Sequence, residues 1–198
     1  MMEIIETPKY IKEEILKYIN NETEILDELK FLCNCNKKFY EIRKLTAEMR
    51  MKLYKPIIEL HLCLAFNDLN GQLISIEDDS HEFSKELDMN LKIDYMFLYN
   101  NNKKVFISHR FWDIKNPNSK EHFKIFHIRA SELRVINETN IENIYFVHSY
   151  THNYTQYLAT SIININKLRK YLNDKLNIIN NQKDLIYVIC EPDYIFLF

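Results

Sequence analysis

The residues best placed to do chemistry lie between Leu91 and Lys115, LKIDYMFLYNNNKKVFISHRFWDIK, where Asp94 precedes a run of three asparagines and Ser108, His109 and Arg110 follow it. A carboxylate brought across a hairpin from a guanidinium can contribute to a divalent-cation site beside a stabilised phosphate. Ser108 supplies no formal charge, and Arg110, always protonated, cannot carry a proton back and forth. Three further groups could join them. Glu59 and His61 are the only strongly polar side chains of the apolar stretch PIIELHLCLAF. Burying a carboxylate or an imidazole there costs several kcal/mol unless it is paired or metal-bound. Asp79 closes the acidic cluster Glu77, Asp78 and Asp79, and Lys124 follows the hairpin in a basic segment.

These groups need a hairpin to converge. Two runs rich in Tyr, Phe, Val and Ile flank the asparagines, and Asn tolerates positive φ better than other residues with side chains. With Asn101 and Asn102 as a two-residue loop, Asn100 pairs with Lys103 and Tyr99 with Lys104. That register places Asp94 opposite His109, between Ser108 and Arg110.

Helices dominate the segment before it. Thr7 is a suitable N-cap with Pro8 in the first helical position, and Ile11, Ile15, Tyr18 and Ile19 then share one face until Asn20 and Asn21. Thr23 starts a second helix through Ile25, Leu26, Leu29 and Leu32. A third runs from about Lys38 to Tyr54, and Pro56 restarts the pattern in a buried helix carrying Glu59 and His61. Its apolar residues also alternate, so a strand is the other reading. Beyond Gly71, QLISI is a short strand. Ser119 caps a helix to about Asn137 with Lys120, Lys124, Arg129 and Arg134 on a basic side. Strands follow at 144–150 and 156–165, then the helix NKLRKYLNDKL, then DLIYVIC and YIFLF. The expected class is α/β (α+β), N-terminal helices packed on a central mixed β-sheet. We expect a single domain, 1–198, with a helical part at 1–67 and a sheet-containing part at 68–198.

Composition removes several function classes. One glycine occurs in 198 residues, where ordinary usage of ~7% gives on the order of fourteen. A phosphate-binding loop, a dinucleotide fingerprint or a nucleophile elbow needs at least two in close succession. The abundance of Asn, Ile, Lys, Tyr and Phe fits AT-rich coding, in a virus or an AT-rich microbe. Charges nearly cancel, 26 basic against 28 acidic, so any nucleic acid must be held by a local patch. No window reaches the ~20 apolar residues of a membrane span. Cys33, Cys35, Cys63 and Cys190 lie in apolar or helical surroundings, which fits reduced thiols and a cytoplasmic location. Cys33 and Cys35 form a CxC without a second ligand pair at zinc-site spacing.

An acid opening a strand, a hairpin turn and a second strand carrying E-x-K resembles the core of the PD-(D/E)XK nucleases. Ile93-Asp94 stands where that family has Pro-Asp, and Ser108-His109-Arg110 where it has Glu-x-Lys. The chain is most similar to the cap-snatching endonuclease domains of segmented negative-strand RNA viruses. The resemblance, over about residues 56–165, implies a divalent metal, Mn or Mg, held by His61, by Glu77 or Asp79, and by Asp94, and the buried Glu59 is a further candidate ligand beside them. It implies catalytic positions at Asp94, Ser108, Arg110 and Lys124, with Lys120 as the alternative lysine. Ser108 and Arg110 depart from the family pattern and imply a degenerate site. Three readings follow: an inactive descendant that binds RNA or DNA, or a viral or host protein; an active metal-dependent endonuclease; and an unrelated protein-interaction domain. Lys103, Lys104, Arg110, Lys120 and Lys124 form the candidate phosphate-facing patch. Asp113-Ile114-Lys115 fits D-x-K but lies beyond the paired end of the hairpin. Pro192-Asp193 has too little chain after it to begin the motif, and His148 with His152 could form a ligand pair or be ordinary strand-end histidines.

If Ser108 stands at a lost carboxylate position, Ser108→Glu with Arg110→Lys creates a Mn²⁺ site beside Asp94. Calorimetric titration of wild type and double variant should show Mn²⁺ heat only in the variant. Equal, negligible heats in both remove the nuclease ancestry.

Overall fold

The structure, a computed structural model, describes residues 2–35, 40–76, 93–100, 102–174, 177–182 and 185–198. The acidic cluster Glu77, Asp78 and Asp79 lies outside the described residues. Strand β1 (Glu3–Glu6) leads into helices α1 (Lys9–Asn21), α2 (Thr23–Asn34) and α3 (Tyr40–Ala65). Strands β2 (Gln72–Ser75), β3 (Tyr95–Leu98) and β4 (Lys104–Asp113) follow. A 3-10 turn (Lys120–Lys124) then leads to β5 (Ile125–Arg129) and α4 (Ala130–Glu138). The remaining elements are β6 (Ile144–His152), β7 (Gln156–Asn164), α5 (Ile165–Asn173), β8 (Ile178–Gln182), β9 (Leu185–Ile189) and β10 (Tyr194–Leu197).

Seven strands form one mixed sheet in the order β1-β10-β7-β6-β4-β3-β2, and β5-β9-β8 form a small antiparallel sheet. Among the described strands only β1 with β10 and β4 with β6 run parallel. Alternation along β4 divides the core. Val105, Ile107, His109 and Phe111 face α1 to α3, while Phe106, Ser108, Arg110 and Trp112 face the small sheet with α4 and α5. The expected class, N-terminal helices on a mixed sheet, is the one observed. Among the described residues no helix is long and apolar enough to cross a membrane.

Several local expectations are corrected. The hairpin register is one residue off: Tyr95 pairs with Ile107 and Leu98 with Lys104, and Tyr99 N–H donates to the Lys103 carbonyl at 2.9 Å. Asn102 is left-handed, with φ 61°, and its N–H donates to the Tyr99 carbonyl, so Tyr99 and Lys103, not Asn100 and Lys103, face each other next to the turn. Asp94 is therefore set across from Ser108 and not from His109. Pro56 does not restart a helix, because α3 runs through it unbroken. Losing the Pro56 N–H and crowding the preceding turn costs about 3 kcal/mol. The almost complete burial of Leu53, Tyr54, Ile57, Ile58 and Leu62 offsets it. Thr7 does not cap α1; its hydroxyl is spent on His61.

The helix expected from Ser119 to Asn137 is three elements. Ser119 does cap a turn, accepting from Glu121 N–H. Phe126 and Ile128 then alternate into the core and β5 pairs with β9, an edge the helical reading ignored. The basic side dissolves with it: Lys124 pairs with Glu121 and Arg134 with Glu138.

The single glycine is needed for a close approach. A Cβ on Gly71 would sit 2.1 Å from Phe97 Cζ, and Phe97 is fully buried. Gly71→Ala should lower unfolding free energy by about 1–3 kcal/mol in urea titrations; a neutral result would show that Phe97 can swing away.

Candidate functional site

Of the hairpin residues singled out from sequence, Asp94, His109 and Arg110 have a structural engagement, and the Ser108 hydroxyl has no hydrogen bond. Asp94 Oδ2 accepts the His109 N–H at 2.9 Å, and Asp94 N–H donates to the Ile107 carbonyl. The carboxylate thus extends the ladder just ahead of the first residue of β3. Arg110 donates through Nη2 to Glu132 Oε1, and Glu132 Oε2 accepts the Arg129 N–H that opens α4. Glu132 is fully buried, so this ion pair docks α4 on the sheet. Lys124 bridges to Glu121 within its own turn. Glu59 accepts the Leu73 N–H and ties α3 to β2. His61 is on the helix-facing side of the sheet, far from the Arg110 face. Among the described residues no three His, Cys, Asp or Glu side chains converge on one point, and Asp79 lies outside them. Asp113 binds Tyr154 N–H, Asp193 accepts Asn164 N–H, and His152 donates to the Ile114 carbonyl.

The helix-facing side holds a polar chain that sequence did not reveal. His109 Nε2 shares a hydrogen bond with Ser149 Oγ at 2.9 Å, and Tyr157 Oη donates to the same Oγ. Tyr157 Oη also lies 2.6 Å from Thr160 Oγ1, which is 2.7 Å from His61 Nδ1. His61 Nε2 meets Thr7 Oγ1 at 3.1 Å. Burial holds the His61 and His109 pKa down at about 3, with Arg50 and Arg110 adding to the effect on His109.

The opposite face is less satisfied. Ser108 Oγ, Arg110 Nε, His127 Nδ1 and both His148 ring nitrogens are buried without a hydrogen bond. His127 and His148 lie parallel, with centroids 5.4 Å apart, and Trp112 stacks on His127 at 3.7 Å. Burial, with Arg110 nearby, holds the His127 pKa at about 3. Burial, then His127, Arg110 and His109, pushes that of His148 well down.

A third feature is open to ligands. Between α2, α3 and the end of β4 lies a cavity of about 410 Å³ lined by Cys33, Ile42, Arg43, Arg50, Phe111 and Tyr154, among others. Arg50 is 7% exposed. Its Nε donates to the Thr46 carbonyl at 3.3 Å and Nη1 to Thr151 Oγ1 at 3.5 Å. Its guanidinium carbon lies 4.8 Å from the Phe111 centroid and 5.4 Å from that of Tyr154. Among the described residues it forms no ion pair, and burial lowers its pKa despite the field of Asp113. Tyr154 and Asn153 are both left-handed, at φ 64° and 50°. A tyrosine in that region is strained by about 1–3 kcal/mol. Asp113 Oδ1 fixes it through the Tyr154 N–H at 2.6 Å.

Comparison with known proteins returns no matching family model, no matching curated protein and no matching solved structure. The pocket was hidden in the sequence because Arg50 is far along the chain from both of its aromatics, Phe111 and Tyr154. The one usable signal was Arg50 itself, a charge among Met49, Met51, Leu53 and Tyr54.

The buried rings make stability depend on pH. Each imidazole is neutral when folded and, with an unfolded pKa near 6.5, protonated when unfolded below that value. Stability is therefore complete above about pH 6.5 and is lost as pH falls toward about 3, by up to about 1.4 kcal/mol per unit for each ring. Urea titrations at pH 7.5 and 5 should differ by several kcal/mol. His148→Phe should flatten this dependence, because it removes one of the rings that must stay neutral in the folded state. An unchanged slope contradicts the assignment.

Proposed function

We propose that this chain is a cytoplasmic binding protein on a degenerate nuclease-like scaffold, which holds nucleic acid without cutting it. The observation that carries the reading is Arg50: a buried guanidinium, without an ion pair among the described residues, flanked by two aromatic rings on the wall of a cavity. Burying a cation costs several kcal/mol unless something compensates it, and an incoming phosphate does so. The hairpin supports the non-catalytic half. Asp94 stands across from Ser108, which supplies no second acid; Asp94 serves the strand ladder, and Arg110 and Lys124 serve Glu132 and Glu121. Metal-assisted hydrolysis would need Asp94 to act with Asp79 and His61; His61 is engaged by Thr7 and Thr160.

Labelled single-stranded RNA and DNA, followed by fluorescence anisotropy, should bind with an affinity that falls as salt rises from about 50 to 200 mM. They should be recovered intact after incubation with millimolar Mn²⁺. Arg50→Met, close in volume and uncharged, should weaken binding about tenfold or more, in line with one charge-assisted contact. Mn²⁺-dependent cleavage abolished by Asp94→Asn would instead establish an active nuclease.

A further inference from the structure

Resting on that reading, we infer that the cavity between α2, α3 and β4 receives one unpaired nucleotide, with its phosphate on Arg50 and Arg43 and its base against Tyr154 and the apolar wall. Size sets the first limit. At about 410 Å³ the cavity is at the lower end of the roughly 300–1,000 Å³ of small-ligand sites, so it admits one nucleotide and excludes a duplex. Chemistry sets the second. The Arg50 Nη2 forms no hydrogen bond with the described residues, and its Nη1 contact at 3.5 Å is long, so donors remain for a phosphate oxygen in a fork suited to it. Arg43 is exposed on the same cavity wall. Asp113 would be the natural competitor for Arg50, but its Oδ1 is held by Tyr154 N–H and Thr151 Oγ1.

The aromatic side comes from the turn between β6 and β7. Left-handed Tyr154 places its ring beside the guanidinium, and bases stack on tyrosine rings and guanidinium planes alike. A strained residue fixed beside a buried cation in a cavity wall is a preorganised surface. Trp112 also lines the cavity, but one face of its ring is covered by His127, so the base is assigned to Tyr154. A net charge of −2 gives no long-range attraction to a phosphate backbone, so recognition is local to these groups.

Cys33 in the cavity wall is half-buried and reports on occupancy. In a Cys35→Ser background, alkylation of Cys33 by N-ethylmaleimide is followed by mass spectrometry with each of the four ribonucleoside 5′-monophosphates. Parallel arms use the unphosphorylated nucleosides, inorganic phosphate, and a single-stranded hexaribonucleotide with a 5′-phosphate. The monophosphates should slow alkylation roughly fivefold or more at saturation and displace labelled RNA, and the nucleosides should do neither at equal concentration. Arg43→Gln, at an exposed position, should weaken protection about tenfold, and Arg50→Met should abolish it in protein whose melting is cooperative. Stronger protection by the hexamer than by monophosphates assigns the site to a strand end, and the reverse to free nucleotide; both support the inference. Equal protection by inorganic phosphate overturns it in favour of a plain anion site. RNA that binds without protecting Cys33, and is not displaced by nucleotides, overturns it while leaving nucleic-acid binding in place. No binding of any oligonucleotide removes both.

Discussion

An imidazole buried in an apolar interior is tolerated when its nitrogens find partners, and the helix-facing half of this protein is arranged around meeting that condition twice. Thr7, His61, Thr160, Tyr157, Ser149 and His109 form one hydrogen-bonded line through the N-terminal segment, α3, β7, β6 and β4. The hydroxyls of Thr160, Tyr157 and Ser149 each join two neighbours, so removing one leaves neighbours buried and unpaired at about 1–3 kcal/mol each. Hydrophobic burial supplies most of the driving force for packing α3 on the sheet. The polar line fixes which residues meet, because a shift of α3 by one turn would strand His61 among Tyr157 and Phe196.

The two faces of the sheet follow different rules. On the helix side polar groups are joined end to end. On the other side Glu132 holds both Arg110 and the start of α4, while Ser108 and His148 remain without bonds beside it. Hydrophobic packing by Phe126, Phe146, Ile128 and Ile163 compensates there. An ion pair so deeply placed stabilises little relative to an apolar replacement, but removing one partner is costly. Its effect is to orient the small sheet and α4 on the large one.

Much of the architecture was legible because hydrophobic periodicity records which face of an element is buried. The helix carrying Glu59 and His61, strands β6 and β7, and the hairpin all follow from their patterns. The failures have physical causes. A turn of three asparagines leaves the register open by one residue, and that residue decides whether Asp94 faces His109 or Ser108. The segment 119–137 reads as one helix because Phe126, Leu133 and their neighbours are spaced for either structure; pairing with β9, some sixty residues later, makes part of it a strand. Of the candidate site, individual residues were visible and their partners were not. Sequence shows that His61 is buried, and not that two threonines from opposite ends of the sequence satisfy it.

The parallel pairing of β1 with β10 has a consequence for biosynthesis. Ile4 lies beside Ile195, and β10 sits between β1 and β7 in the sheet. During translation, β7 and the helices can therefore assemble while β1 has nothing to pair with. The segment carrying Thr7 must wait, and the hydroxyl that completes the His61 pair waits with it. Closing so long a loop is entropically slow, so the imidazole at the centre of the helix interface stays half-satisfied until synthesis has passed residue 197. Ribosome-bound intermediates of this chain are thus bound to expose the β7 edge, the kind of surface that chaperones shield.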